Sequence, residues 1–136
     1  MRVLLDLNVL LDFLLDRIPW KAEAAEIWKT HHEKQLTAVV SVASLPTLFY
    51  LLQRAEGREY ASQSVRLVFD ELEIASVDSA TVQSALAMTG PDFEDNLQIA
   101  CAVQQQTDAI VTRDPADFIA CPVPVLSPAE LLRTMP

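Results

Sequence analysis

Acids recur where this chain changes direction. Asp6 closes the apolar run Val3-Leu4-Leu5, Asp92-Phe93-Glu94-Asp95 opens an apolar stretch, and Asp114 and Asp117 fall in Val111-Thr112-Arg113-Asp114-Pro115-Ala116-Asp117-Phe118. Carboxylates gathered at one point supply the hard oxygen ligands that divalent cations prefer. A cation held there polarises a phosphate and activates water for in-line displacement. Each acid also has a plainer role. Asp6 or Asn8 caps a helix, Asp92, Glu94 and Asp95 complement a helix dipole, Asp114-Pro115 is a turn signal, and Asp117 caps a brief turn. Capping alone does not explain why three separate acid positions fall at strand ends or at a helix start facing them. That is where open α/β sheets build their sites.

The elements that must position these acids follow from periodicity. Arg2 to Asp6 and Thr37 to Ser41 are short, continuously apolar runs of the kind buried on both faces of a sheet. Further strands are expected near Ile74 to Val77 and over Ala109 to Val111, and Val123-Pro124-Val125 fits only an edge because proline cannot donate to a ladder. A helix follows the first strand, and others are expected over Trp20 to Lys34, Ala43 to Arg54, Arg58 to Leu72 and Ser79 to Met88. Gly90-Pro91 breaks the chain before a helix over Phe93 to Gln105, with Asp92 as its N-cap and Leu97, Ala100, Cys101 and Val103 inward. Ser127-Pro128-Ala129-Glu130 is a capping box that starts a short last helix. The alternation predicts an α/β fold, a parallel sheet covered on both faces.

The chain has 136 residues, 51% of them hydrophobic, and neither repeats nor a Gly/Ser linker, so we expect one domain over residues 1–136. No stretch reaches the about twenty apolar residues of a membrane helix, and no basic segment precedes a cleavable apolar one, so the expected location is cytoplasmic. Cys101 and Cys121 lack metal-ligand spacing and read as free thiols. The net charge of −9 argues against a broadly basic nucleic-acid platform. Cations bound at an acidic site would offset that charge locally, and with few basic residues any grip on a phosphate backbone should be modest and salt-sensitive.

Leu5-Asp6-Leu7-Asn8-Val9-Leu10-Leu11-Asp12, Asp16-Arg17, the stretch from Ser41 to Leu52, and above all the block from Asp92 to Phe118 resemble the PIN-domain family, including the VapC-type ribonuclease toxins. The resemblance implies a three-layer α/β/α fold with strand order 3-2-1-4-5, and an endoribonuclease that uses Mg²⁺ or Mn²⁺. It also implies hydrolysis of RNA by water, leaving 5′-phosphate ends, a cognate antitoxin and a homodimer. Residue by residue it assigns the metal-binding acids to Asp6, Asp95 and Asp114, with Asp117 a fourth, and gives Asn8 and Thr112 a supporting role. Where many members have a glutamate early in the third helix this chain has Thr47, a weak ligand; Glu94 and Asp92 are the nearby acids available to compensate. A catalytically degenerate module that binds RNA or protein is the alternative.

Other residues carry weaker signals. Arg17 and Arg113 adjoin site segments and are candidates for holding the scissile phosphate, with an ion pair the competing role. His31 and His32 point about 100° apart and read as a solvated helix end. Trp20 and Trp28 share a helix face and are expected in the core. Leu48, Leu51 and Leu52 could serve a dimer face, but core packing is the simpler role.

Overall fold

The computed structural model describes all residues, Met1–Pro136. Strand β1 (Arg2–Leu5) lies at the centre of the sheet, and the chain continues through α1 (Leu7–Leu14), α2 (Lys21–His32), β2 (Thr37–Ser41), α3 (Ser44–Glu56), α4 (Arg58–Glu71) and β3 (Glu73–Ala75). It then forms α5 (Ser79–Leu86), α6 (Phe93–Gln104), β4 (Ala109–Val111), a 3₁₀ turn (Pro115–Asp117), β5 (Val125–Leu126) and α7 (Pro128–Thr134). The five strands are all parallel in the order β3-β2-β1-β4-β5. Parallel neighbours require crossovers, which helices provide except between β4 and β5, where a loop with one 3₁₀ turn makes the connection.

Side chains alternate across each strand and so divide the core in two. Val3, Leu5, Val40 and Val111 face a cluster made with α1, α2, α3, α4 and α7, including Leu10, Ile27, Leu48, Leu52 and Leu131. Leu4, Val39 and Ile110 face the other way, onto Ile99, Cys101 and Ala102 of α6 and onto Phe118. This is the expected three-layer α/β/α arrangement. Leu10, Ile27 and Ile110 have no exposed surface, and burying each such side chain stabilises the fold by about 1.5–3 kcal/mol. Cys101 and Cys121 are free. No helix is long and apolar enough to cross a membrane.

Local signals explain most boundaries. Asp78 and Thr81 form a capping box on α5, and Ser127 and Glu130 form another on α7. The edge strand expected over Val123-Pro124-Val125 is β5, Val125–Leu126: Pro124 stands just before it and contributes only its carbonyl, which accepts from Ile110 N at 2.9 Å, so the ladder asks no donor of the proline.

Four expectations are corrected. The strand expected near Ile74 to Val77 is β3, Glu73–Ala75. In α6, Val103 is exposed and Leu97 half-buried, while Asn96 and Gln98 join Ile99, Ala100, Cys101 and Ala102 inside. Asn96 can take an inward position because it has a partner: it donates to Gly90 O at 2.8 Å, and a Cβ on Gly90 would lie 2.5 Å from Asn96 Oδ1. Trp20 does not join Trp28 in the core. It precedes the first turn of α2 and is 40% exposed, whereas Trp28 is 6% exposed and stacks on Phe13. His31 is no solvated end either: Ala38 N donates to its Nδ1 at 3.1 Å, so its Nε2 carries the proton and donates to Glu71 O at 2.8 Å.

Candidate active site

Asp6 stands where β1 becomes α1. Its N–H donates to Val111 O at 2.9 Å, which locks the end of β1 to β4. Its side chain then caps α1: Oδ1 accepts from Leu7 N at 2.8 Å and more distantly from Gln98 Nε2 at 3.4 Å, and Oδ2 accepts from Thr112 Oγ1 at 2.8 Å. Burial raises the Asp6 carboxyl above the usual range, with the three donors opposing and the negative charge of Asp114 adding to the rise. The cap and the candidate ligand are therefore the same side chain.

Thr112 and Asn8 connect this acid to the loop after β4. Thr112 is fully buried, and its single hydroxyl proton goes to Asp6. Its oxygen accepts from Asn8 Nδ2 at 3.3 Å and from Asp114 N at 3.1 Å. Asn8 Nδ2 also donates to Asp114 Oδ2 at 3.1 Å, and Asn8 Oδ1 accepts from Arg113 N at 3.4 Å. Asp6 and Asp114 are thus joined through two neutral side chains. Asp117, in the following 3₁₀ turn, is exposed.

Asp95 comes from the first turn of α6, where Asp92 caps its N–H at 3.0 Å. Its carboxyl is pushed up to about 6, chiefly by burial and then by the charges of Asp92, Asp6, Asp117 and Glu94. These acids repel one another when ionised, and a divalent cation relieves such repulsion. Asp6, Asn8, Thr47, Glu94, Asp95 and Gln98 line a cleft of about 230 Å³, and Thr47 Oγ1 donates to Glu94 Oε1 at 3.4 Å.

As the side chains stand, no three Asp, Glu, His or Cys groups converge closely enough to hold a metal ion. The chemistry of the donors still fits Mg²⁺, which keeps several waters and takes one or two carboxylates together with substrate phosphate oxygens. A second observation agrees. Gln98 is 7% exposed, and its Oε1 is buried without a hydrogen-bond partner. A buried acceptor left in that state costs about 1–3 kcal/mol.

The structure separates the expected site residues into groups. Asp6 and Asp95 share the cleft, Asp114 adjoins Asp6 through Asn8 and Thr112, and Asp117 acts on Asp95 through its charge. Arg113 is turned to a different acid. Its Nε donates to Asp12 Oδ2 at 2.6 Å, a second guanidinium nitrogen reaches Oδ1 at 3.2 Å, and the group lies 3.8 Å from the centre of the Trp20 ring. Arg17 stands 4.0 Å from the same carboxylate with a more exposed side chain. Burial raises the Asp12 carboxyl, against the hydrogen bond and charge of Arg113 and the charge of Arg17.

Sequence reasoning missed Asp12 and Gln98. Asp12 carried a usable signal, an acid inside the apolar run of α1 at a position between buried neighbours. Its partner lies 101 residues away, and no spacing rule reaches that far. Gln98 gave none.

No curated protein matches this chain in sequence. Solved structures match in shape at low identity. A DNA-bound VapBC complex from Salmonella typhimurium has a TM-score of 0.71 at 15% identity, covering 94% of this chain and 98% of that one. A toxin–antitoxin complex from Klebsiella pneumoniae gives 0.68 at 19% identity, covering 93% and 97%. VapC20 of Mycobacterium tuberculosis, described as a sarcin-ricin loop cleaving toxin, gives 0.66 at 13% identity, covering 79% and 86%. Residues 2–116 match the sequence family described as the PIN domain, and with the strand order found here the chain is a member of the PIN-domain family.

Proposed function

We propose that this protein is a Mg²⁺-dependent endoribonuclease, with Mn²⁺ able to substitute, and that it is the toxin of a cytoplasmic toxin–antitoxin pair. The observation that carries the reading is Asp95, raised to about 6 in a cleft it shares with Asp6 and with the unpaired carbonyl of Gln98. Asp6, Asp95, Asp114 and Asp117 would hold the cation, and Asn8 and Thr112 fix the first and third of these acids relative to each other. When bound, the cation stabilises charge on the phosphate and activates water for attack. The chain's own residues do the rest. Asp6, held by three donors, presents a fixed carboxylate. Asp95, on which no donor acts, keeps both oxygens free for ligand or proton. Arg17, whose side chain is 39% exposed, is the available phosphate contact.

Likeness to the VapBC and toxin–antitoxin complexes supports a cognate antitoxin, and the homodimer rests on the resemblance to the PIN-domain family alone. Leu48 and Leu52 belong to the core, so a dimer face on α3 and α4 would use exposed side chains such as Tyr50 and Phe69. A degenerate domain that binds RNA or protein without cutting it is the second reading, favoured by Thr47 and by the absence of three converged ligands.

Cleavage of a generic RNA tests both. It should vanish on chelation, return with Mg²⁺ or Mn²⁺, recover little with Ca²⁺ because of its looser geometry, and leave 5′-phosphate ends. Metal-independent cleavage with cyclic phosphate ends would overturn the mechanism, and RNA binding without cleavage under any metal would establish the second reading.

A further inference from the structure

Two arginines share one buried acid, and they do so unequally. Asp12 is 1% exposed, on the inward side of α1. Arg113 grips it with two nitrogens, at 2.6 and 3.2 Å, and covers Trp20 with its guanidinium face, so both the edge and the plane of the group are engaged. Arg17 reaches the same carboxylate only at 4.0 Å. A guanidinium used in both ways is largely withdrawn from solvent, and its fork is committed. Neither arginine lines the acid cleft, so what distinguishes them is that Arg17 alone keeps its fork uncommitted.

Its backbone lies within the site. Arg113 N donates to Asn8 Oδ1, and the residues on either side of it are Thr112, which donates to Asp6, and Asp114, which accepts from Asn8. The loop after β4 is exposed from Asp114 to Asp117 and contains no regular structure beyond one 3₁₀ turn. Such a segment holds its geometry only where something outside it fixes it. Asp12 comes from α1, the helix Asp6 caps, so a bond from Arg113 to Asp12 sets the loop acid against the strand-end acid. Trp20 closes the arrangement from the start of α2.

We propose that Arg113 is a positioning residue: through the buried Asp12 and the Trp20 ring it anchors the Thr112–Asp114 loop to α1, while contact with the RNA phosphate falls to Arg17. This rests on the nuclease reading above and refines it. A phosphate contact tolerates lysine, which supplies the charge as a point. A bidentate, stacked position does not.

Arg113→Lys therefore separates the roles. The anchoring role predicts a fall in kcat of about tenfold or more, RNA affinity measured with Ca²⁺ in place of Mg²⁺ changed by less than about twofold, and faster hydrogen exchange at the Arg113 and Asp114 amides. Trp20→Leu, at a partly exposed position remote from the core, should move the same amides in the same direction in a folded protein. Arg17→Gln should instead weaken RNA binding and reduce its salt slope by about 0.7. Near-normal kcat and unchanged amide protection in Arg113→Lys would overturn the proposal, as would a loss of salt slope in Arg113→Gln with kcat intact. If the unmodified protein cleaves no RNA with any metal, the nuclease reading fails, yet amide protection in Arg113→Lys still decides whether the anchor exists.

Discussion

Ionising Asp95 is costly in the folded protein, because burial and four neighbouring carboxylates act on it together. In the unfolded chain an aspartate titrates near about 3.9; in the fold Asp95 titrates at about 6. The folded state therefore holds the proton more tightly, so its contribution is fully present below about pH 4 and is lost as pH rises through about 6. Asp6 is displaced in the same direction. Thermal unfolding in chelator should show Tm falling between pH 4 and 6 on account of these acids, and Asp95→Asn should flatten that fall, raise the metal-free Tm at pH 7, and lower cleavage by on the order of 100-fold. An unchanged pH profile in the variant would mean that Asp95 is not under this strain. The acids were legible in the sequence because each occupies a helix start or a strand end, where local rules place it. The groups that hold them were legible only in part, since Thr112 and Asn8 looked like ordinary polar residues until β1 and β4 were seen as neighbours.

At the scale of elements, strands and caps were readable, but the rotation of α6 was not. Its sequence offers Leu97 and Val103 as inward apolar residues, yet the structure buries the smaller Ala100, Cys101 and Ala102 together with Asn96 and Gln98. Small side chains let the helix approach the sheet closely, and the bonds from Asn96 Nδ2 to Gly90 and from Gln98 Nε2 to Asp6 satisfy the amide nitrogens of residues that hydropathy counts as surface, leaving Gln98 Oε1 unpaired. The Trp20 error has a similar origin: a cation from a distant loop covers the ring that periodicity assigned to the core. The capping box on α7 needed no such context, and it provides a control remote from the cleft. Ser127 Oγ accepts from Glu130 N at 3.1 Å and Glu130 Oε2 accepts from Ser127 N at 2.8 Å. Ser127→Ala should cost about 1 kcal/mol in denaturant unfolding and leave RNA cleavage unchanged. A larger loss, or an effect on activity, would show that α7 supports the site through β5.

For the molecule as a whole, 19 acidic residues against 10 basic ones leave little positive surface for RNA. Several of those basic residues are already paired, Arg113 with Asp12, Arg2 with Glu73 and Arg66 with Asp70. Each phosphate neutralised on a single strand contributes about 0.7 to the slope of log affinity against log salt. Titrations of single-stranded RNA in Ca²⁺ should therefore give a slope no steeper than about −2, and a slope of −4 or beyond would reveal a basic surface that this fold does not present as a monomer.

The order of the strands also sets an order in time. β1 is synthesised first, but one of its two edges is covered only when β4 arrives more than a hundred residues later, bringing Thr112 and Asp114 with it. A chain still being translated can pair β1 with β2 and β2 with β3, yet until the ribosome has passed residue 114 it has a bare central edge and an incomplete set of acids. The same topology that closes the sheet through its middle therefore keeps the nascent chain without its proposed chemistry until β4 and the loop after it have been made.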